Sequence, residues 1–275
     1  MLKIKKAIQQ TAILLAVFSM SDLSAGNSKA YINGSIHTFD ENLTIADSIL
    51  VKDGIIQLVG SQADVIKNAD ESIEIVDLQG RMMMPSFHDA HAHPIWNGMD
   101  FLQCSVFDLL TINEIQERIR ACLEEDHVKT SGWVVGAGLN AGLFPAANPN
   151  KSLFDEVTED IPIYIEMSDG HNALVNSKAL ELAGINRDTK DPFKGIIERD
   201  PVTGEPSGTL REPSAMNLVA DVLPTETAEL RLNGLLYAQN LASSFGITSM
   251  IDAAVNEPYL ISFKDLAQKG RIESQ

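Results

Sequence analysis

The chain has 275 residues, of which 44% are hydrophobic and 21% are charged. This composition is close to the globular average and excludes a wholly disordered or fibrous protein. Asp and Glu number 38 against 21 Lys and Arg, which gives a formal net charge of −17. Because a surface this acidic repels phosphate groups, we expect a soluble, core-forming protein that does not bind nucleic acid.

Residues 1–26 have the pattern of a secretory signal peptide. Three lysines, Lys3, Lys5 and Lys6, precede an apolar stretch at 11–20 (TAILLAVFSM), and small residues follow it. The alternative is an uncleaved anchor, but ten apolar residues are too few to span a bilayer. We therefore expect export to the periplasm or the medium, with cleavage and without a stable membrane anchor.

The two cysteines, Cys104 and Cys122, are too few for a disulfide framework or a Cys-rich metal site. In an oxidising compartment they could pair with each other. Their spacing alone leaves that pairing open.

Residues 27–84 have a β pattern. Short apolar stretches are separated by turn residues, and Asn33-Gly34 and Asp53-Gly54 are typical of tight hairpin turns. Residues 73–78 (IEIVDL) alternate apolar and polar side chains. Short strands at regular intervals predict a small antiparallel sheet or β-sandwich as a first domain.

From residue 85 to residue 275 helical and strand patterns alternate. Thr111 and Glu114 form a capping box ahead of apolar residues at helical spacing, and the stretches 133–136 and 163–166 are typical of buried strands. Alternation of this kind predicts an α/β fold with a parallel sheet and crossover connections.

The last third of the chain contains two further predicted helices. The first, at 176–183, is closed by Gly184, and the Pro-, Gly- and Asp-rich stretch 185–215 that follows predicts a long surface excursion. A second helix is capped by Thr225, runs to about Phe245 and is ended by Gly246. A strand at 247–251 comes directly after it.

The densest chemistry lies at 85–94 (PSFHDAHAHP). Residues two apart on a strand face the same side, so Asp89, His91 and His93 are expected on one face. Two imidazoles on one face can bind one zinc ion, and Asp89 is placed to fix a histidine tautomer as an outer acceptor. His88 faces away and is expected to pack. The alternative is a chance histidine pair on a surface strand.

Four motifs, in order, resemble those of the amidohydrolase superfamily, in the branch called amidohydrolase family 3, which includes N-substituted formamide deformylases. They are 85–94, 169–180 (DGHNALVNSKAL), 208–212 (GTLRE) and 246–252 (GITSMID). The resemblance begins near Ala30 and runs to the last residue. It implies a TIM-type (β/α) barrel preceded by a small β-sandwich.

The resemblance also implies roles for particular residues. It assigns His91 and His93 to the metal, with zinc as the expected divalent cofactor, and Glu212 to the carboxylate position that many relatives fill with a carboxylated lysine. It gives His171 a catalytic role at the barrel mouth, as a substrate-polarising or metal-proximal group. Asp252 either faces this site or caps a helix.

The sequence departs from the family in three ways. Ser86 stands where the family usually has Gly, and Leu139-Asn140 stands where relatives carry a Trp-Asp pair. Family members are also much longer, and no histidine follows His171 here. Residues 85–275 number 191, whereas a complete barrel usually needs about 250 residues. We therefore expect a truncated barrel over 85–275.

The resulting hypothesis is the N-terminal portion of an exported, metal-dependent hydrolase. Its substrate would be a small molecule with a non-peptide carbon–nitrogen bond, such as an N-acyl or N-formyl amine, and this fragment alone would be inactive. The alternative is a non-catalytic truncated or split-gene product with an incomplete metal site.

The signal peptide leads to the first prediction. Cleavage after the small residues should leave a mature chain that begins between Asp22 and Asn27, outside the cytoplasm. N-terminal sequencing of the exported protein measures this directly. Recovery of an intact Met1 from the soluble cytoplasmic fraction would contradict export.

Overall fold

The computed structural model describes residues 28–269. Its contacts divide the chain between Ser86 and Phe87, and we call the described parts the N-terminal unit (28–86) and the C-terminal unit (87–269). The predicted signal peptide lies outside the described residues. No helix among residues 28–269 is both long and apolar enough to cross a membrane.

The N-terminal unit contains seven strands and one helix within the described residues. In chain order these are β1 (Lys29–Ile32), β2 (Ser35–His37), β3 (Ile45–Ala46), β4 (Ser48–Lys52), β5 (Ile55–Gly60), α1 (Gln62–Asn68), β6 (Glu74–Asp77) and β7 (Met82–Met83). They form two sheets, in the orders β5-β4-β1-β6 and β3-β2-β7. The expectation of purely antiparallel pairing is wrong, because β6 and β7 run parallel to β1 and β2.

The two predicted hairpin turns behave differently. Asp53 and Gly54, with φ of 51° and 77°, join the antiparallel strands β4 and β5 as expected. Asn33 also has a positive φ, of 53°, but the turn there carries the chain from β1 in one sheet to β2 in the other. The same dipeptide chemistry therefore produces a hairpin only where the flanking strands pair.

Helix α1 was missed by the sequence analysis, which found only β patterns before Met84. Ser61 caps it by accepting the backbone N–H of Asp64 at 3.2 Å, and Val65 is its buried residue. Seven residues with one buried position are too few to produce a helical period. The Ser61 cap was the local feature of the sequence that could have predicted this helix.

The C-terminal unit begins with a strand and three helices and continues as a sheet with flanking helices. In chain order its elements are β8 (Phe87–Ala92), α2 (Pro94–Leu102), α3 (Ile112–Cys122), α4 (Asp126–Ser131), β9 (Val134–Leu139), α5 (Ser152–Asp155), β10 (Ile163–Met167), β11 (Asn172–Val175), α6 (Ser177–Leu182), β12 (Ile196–Arg199), β13 (Pro206–Arg211), α7 (Glu212–Ala220), α8 (Ala228–Ser244), β14 (Ile247–Asp252) and α9 (Glu257–Gln268). The α/β class is thus confirmed, whereas the partial barrel and the β-sandwich stay predictions.

Strand pairing in this unit is mixed rather than parallel throughout. One sheet has the order β12-β13-β11-β10-β9, in which only β9 and β10 are parallel. A second sheet consists of the parallel pair β8 and β14. Strands β9 and β10, which are consecutive in the chain and have α5 between them, are parallel, as a crossover connection predicts.

The local signals of the C-terminal unit are largely confirmed. The capping box of Thr111 and Glu114 is present at the start of α3, and Asn176 caps α6, after which Gly184 has a φ of 69°. Helix α8 is capped by Thr227 rather than by Thr225. Each of these signals needs only neighbours in sequence, which explains why they could be predicted.

The predicted surface excursion at 185–215 holds for the largely exposed loop 186–194 but not for the strands that follow it. This stretch contains β12 and β13, and the first five residues of β13 are buried in the five-stranded sheet. Its turn residues close a short antiparallel connection, in which the Gly204 N–H donates to the Asp200 carbonyl at 2.9 Å. Turn composition therefore marked a hairpin between buried strands.

Helices α2 and α8 pack backbone to backbone. A Cβ on Gly98 would lie 2.0 Å from the carbonyl oxygen of Gly234, and a Cβ on Gly234 would lie 2.8 Å from the backbone nitrogen of Met99. Only glycine permits this approach at either position. Ile95 and Leu235 are buried beside the crossing, so α2 is held firmly against α8.

Cys104 and Cys122 form a disulfide. Their Cα atoms are 5.8 Å apart, and both residues are fully buried in the cluster between α3 and the five-stranded sheet. The bond joins the segment after α2 to the last residue of α3. The pairing that the spacing left open is therefore made.

The disulfide leads to the second prediction. The double variant Cys104→Ala/Cys122→Ala should lose about 3 kcal/mol of unfolding free energy, because a cross-link over this separation restricts the unfolded chain. Denaturant unfolding with and without reductant measures the loss. The double variant serves as the control for reductant, because it has no disulfide. Reductant should therefore lower the unfolding free energy of the parent protein only. Equal stability of the parent protein in both conditions would contradict the prediction.

Candidate functional site

The two histidines of the first motif meet where β8 ends. Strand β8 stops at Ala92, and His93 is the N-cap residue of α2, with φ −134° and ψ 66°. The ring centroids of His91 and His93 are 5.1 Å apart, with an angle of 85° between the planes. The structure therefore brings these two imidazoles together at the carboxyl end of a parallel strand.

Two neighbours of this pair differ from expectation. The Asp89 carboxylate accepts the backbone N–H of His91 at 2.9 Å, so it stabilises the end of the strand and does not orient an imidazole. His88 is exposed rather than packed. Within the described residues β8 has only β14 beside it, which leaves His88 uncovered, whereas the Asp89 contact is a local turn of the backbone.

Asp252 takes the position that the sequence analysis gave to Asp89. It is the last residue of β14, its side chain is 7% exposed, and its Oδ1 lies 3.8 Å from Nδ1 of His93. That oxygen also accepts the backbone N–H of Ala254 at 3.0 Å. Asp252 therefore faces the histidine pair, which was one of its two predicted roles, and Asn256 caps the following helix instead.

Two atoms at this contact are buried without a hydrogen-bond partner. They are Nδ1 of His93 and Oδ2 of Asp252. Buried polar atoms are nearly always satisfied, so an unsatisfied pair indicates a missing partner. An imidazole nitrogen and a carboxylate oxygen are both ligand atoms for zinc-class metals, and these residues fit such an ion.

The ligand set is incomplete in the described part of the chain. Among residues 28–269, no three His, Cys, Asp or Glu side chains come close enough together to hold a metal ion. Three protein ligands are the usual number in a catalytic zinc site. The described residues therefore supply only part of one.

His171 and Glu212 form a second pair. Nδ1 of His171 lies 3.3 Å from Oε2 of Glu212, and the Glu212 N–H donates to the His171 carbonyl at 2.6 Å. The pairing of Asn172 with Arg211 in adjacent strands sets this register. Glu212 has a φ of 66°, a strained value for a residue with a side chain. Both side chains are exposed, at 66% and 56%.

Buried carboxyls near α2 were missed by the sequence analysis. The pKa of Asp100 is raised to about 8, mainly by burial and in smaller part by the charges of the nearby Glu166 and Glu226. Burial raises the pKa of Glu166 to about 7, opposed by hydrogen bonds from Tyr164 and Trp96. Burial also raises the pKa of Glu226. An acid inside an apolar strand or helix, such as Glu166 in 163–167 (IYIEM), was the signal for this cluster.

The buried carboxyls lead to the third prediction. The folded protein keeps protons on Asp100 and Glu166 that the unfolded chain releases above pH 4, so stability should fall as pH rises from about 5 to about 8. Asp100→Asn should flatten this dependence and stabilise the protein at pH 8 by an amount on the order of 1–3 kcal/mol.

Denaturant unfolding at a series of pH values measures this effect. Asp265→Asn is the matched control, because Asp265 is exposed on α9 and its substitution removes the same charge. Parallel pH profiles for the parent protein and Asp100→Asn would contradict the prediction.

Comparison with known proteins identifies the family of this chain. The sequence profile described as Amidohydrolase family matches residues 74–271. Protein LONG AFTER FAR-RED 3 of Arabidopsis thaliana is 32% identical over 220 residues, covering 80% of this chain and 37% of the relative. N-substituted formamide deformylase of Arthrobacter pascens is 33% identical over 232 residues, covering 82% and 42%.

A solved structure agrees in fold. An uncharacterized metal-dependent hydrolase from Pyrococcus horikoshii superposes with a TM-score of 0.64 at 24% identity, covering 89% of this chain and 47% of that one. The chain thus spans about 40% of the length of these curated relatives. On the evidence of the profile match and the two sequence relatives, the chain belongs to the amidohydrolase family, in the branch called amidohydrolase family 3.

Proposed function

We propose that this chain is the N-terminal portion of a metal-dependent hydrolase that cleaves a non-peptide carbon–nitrogen bond in a small amide. Family membership supports hydrolysis. The relative named N-substituted formamide deformylase supports an N-formyl or N-acyl amine as substrate. The observation that carries the proposal is the buried, unpartnered Nδ1 of His93 beside the buried Asp252 carboxylate.

His91 and His93 are the proposed metal ligands. Glu212, the third ligand that the resemblance implied, lies against His171, and within residues 28–269 it does not join the two histidines in a three-residue group. Zinc is the proposed metal, because imidazole and carboxylate are typical zinc ligands. A bound divalent ion supplies Lewis-acid chemistry, which polarises the substrate carbonyl and activates water. The Asp252 carboxylate, whose Oδ1 lies 3.8 Å from Nδ1 of His93, is a further group that could hold the ion beside this imidazole.

His171 is the proposed catalytic group. Its Nδ1 is engaged by the Glu212 carboxylate at 3.3 Å, which leaves Nε2 to contact the substrate carbonyl. The imidazole is exposed, so a substrate can reach it. With Nδ1–H donated to Glu212, Nε2 donates to the substrate only when the ring carries both protons, and in that imidazolium form it polarises the carbonyl where negative charge develops.

Export is proposed alongside this function. The sequence of residues 1–26 supports a signal peptide, and the Cys104–Cys122 disulfide supports an oxidising compartment such as the periplasm. No stable anchor would remain after cleavage, and the only partner proposed is the small-molecule substrate.

One observation favours a second candidate, a non-catalytic truncated or split-gene product. The described residues contain no group of three metal-binding side chains. The sheet of β8 and β14 also exposes large apolar side chains, with Phe87 56% and Ile251 62% exposed. Such exposure is typical of a surface that another segment covers. We therefore propose that the 275-residue chain alone is inactive.

The fourth prediction separates these candidates. The mature chain left by signal-peptide cleavage should bind zinc weakly through His91 and His93 and should not release amine from N-formyl or N-acyl amines. Elemental analysis and an amine-release assay measure the two properties. The double variant His91→Ala/His93→Ala should lose the zinc and keep its circular dichroism spectrum, whereas the control His127→Ala should keep both, because His127 contacts the Glu125 carboxylate, at 3.3 Å, away from the pair.

Two results would contradict this prediction in different ways. Zinc content that is unchanged in the double histidine variant would remove the metal role of the pair. Zinc-dependent turnover that survives further purification and is lost in His91→Ala would make the 275-residue chain an active hydrolase by itself.

A further inference from the structure

Trp96 contacts the histidine pair from the side of α2. It is the third residue of that helix, and its ring centroid lies 5.6 Å from that of His93, with 54° between the planes. The ring centroid of His91 lies 5.1 Å from the centroid of the same imidazole. The ring of His93 therefore has an aromatic neighbour in addition to its partner on β8.

The same indole reaches the second pair of site residues. A Cβ on Gly170 would lie 3.7 Å from Cη2 of Trp96, so the far edge of the indole packs against the turn that precedes His171. Gly170 has a φ of 67°, which suits glycine at this close approach. Trp96 is thus the side chain that contacts both His93 and the turn of His171.

Trp96 is itself fixed in place. Its indole interacts with the half-buried Glu166 carboxyl on β10 and lowers the pKa of that group, and the Tyr164 hydroxyl donates to the same carboxyl at 3.4 Å. Helix α2 is held against α8 by the backbone contact at Gly98 and Gly234. The indole can therefore move little without losing its contact with Glu166 or breaking the helix crossing.

We propose that Trp96, held by Glu166, is a positioning residue that orients the imidazole of His93 for metal binding and sets the spacing between the His91–His93 pair and the His171–Glu212 pair. The inference rests on the proposed function, because it gives Trp96 a role toward the metal. A side chain that only fills the core needs apolar surface alone, whereas this indole also places its N–H beside the half-buried Glu166 carboxyl.

Cobalt(II) alone is the probe of this role. The chain has two tryptophans, Trp96 and Trp133, so Trp133→Phe leaves Trp96 as the one reporter of emission. A cobalt ion bound beside His93 should quench that emission, and His93→Ala should abolish the quenching. The visible absorption of bound cobalt gives the affinity in variants that lack Trp96.

The expected effect of losing the indole is a weaker metal site. Outer partners of metal ligands typically change affinity by about 10–100-fold, so Trp96→Leu should weaken cobalt binding by at least about tenfold. Trp96→Phe, which keeps a ring beside His93, should recover part of that loss. The control Trp133→Phe, at the edge of a separate core cluster, should bind as the parent protein does.

A second pair of variants covers the possibility that Trp96→Leu does not fold. Glu166→Leu removes the acceptor of the indole N–H and should weaken binding, whereas Glu166→Gln keeps an amide oxygen there and should bind nearly as the parent protein does. Thermal unfolding followed by circular dichroism identifies which variants are folded.

The outcomes separate this inference from the proposed function. If folded Trp96→Leu and Glu166→Leu bind cobalt as the parent protein does, while His93→Ala does not bind it, the positioning role is overturned and the metal role of the pair stands. If millimolar cobalt leaves Trp96 emission in the parent background unchanged, both are overturned.

Discussion

The close contact of α2 with α8 is the constraint on which the candidate site depends. Gly98 and Gly234 allow the two helix backbones to touch, and a Cβ on either would overlap the other helix. Helix α2 begins at His93 and carries Trp96. The position of α2 therefore determines where both the imidazole and the indole lie. The two glycines permit this position because neither has a Cβ.

The candidate site consists of two pairs that different parts of the fold supply. The parallel strands β8 and β14 bring His91, His93 and Asp252 together, while the antiparallel register of β11 and β13 joins His171 to Glu212. The first group holds buried atoms without partners and the second is exposed. This division agrees with a chain that spans about 40% of its curated relatives and supplies part of a ligand set.

The interior near α2 combines functional geometry with a cost in stability. The buried carboxyls of Asp100 and Glu166 are favoured in their protonated forms, since burial raises the pKa of each. Glu166 nevertheless accepts hydrogen bonds from Trp96 and Tyr164. The same carboxyl that weakens the fold at high pH thus fixes the indole beside the site, which is a common compromise at functional positions.

The sequence by itself determined the features that depend on neighbouring residues. The capping box at Thr111, the Asp53-Gly54 hairpin and the glycine that follows α6 were predictable because each involves a few adjacent backbone groups. The first motif and its histidine pair also followed from period-two spacing. The alternation of helical and strand patterns predicted the α/β class, which the structure confirms, whereas the metal site implied by the family resemblance stays a prediction.

Only the tertiary structure decided which distant residues meet. It turned the supposed surface stretch at 185–215 into strands, joined Cys104 to Cys122, and placed Asp252 rather than Asp89 beside the imidazole of His93. It also set His171 against Glu212. These contacts depend on strand register and helix crossing, which are set by packing across the whole unit and leave no local period in the sequence.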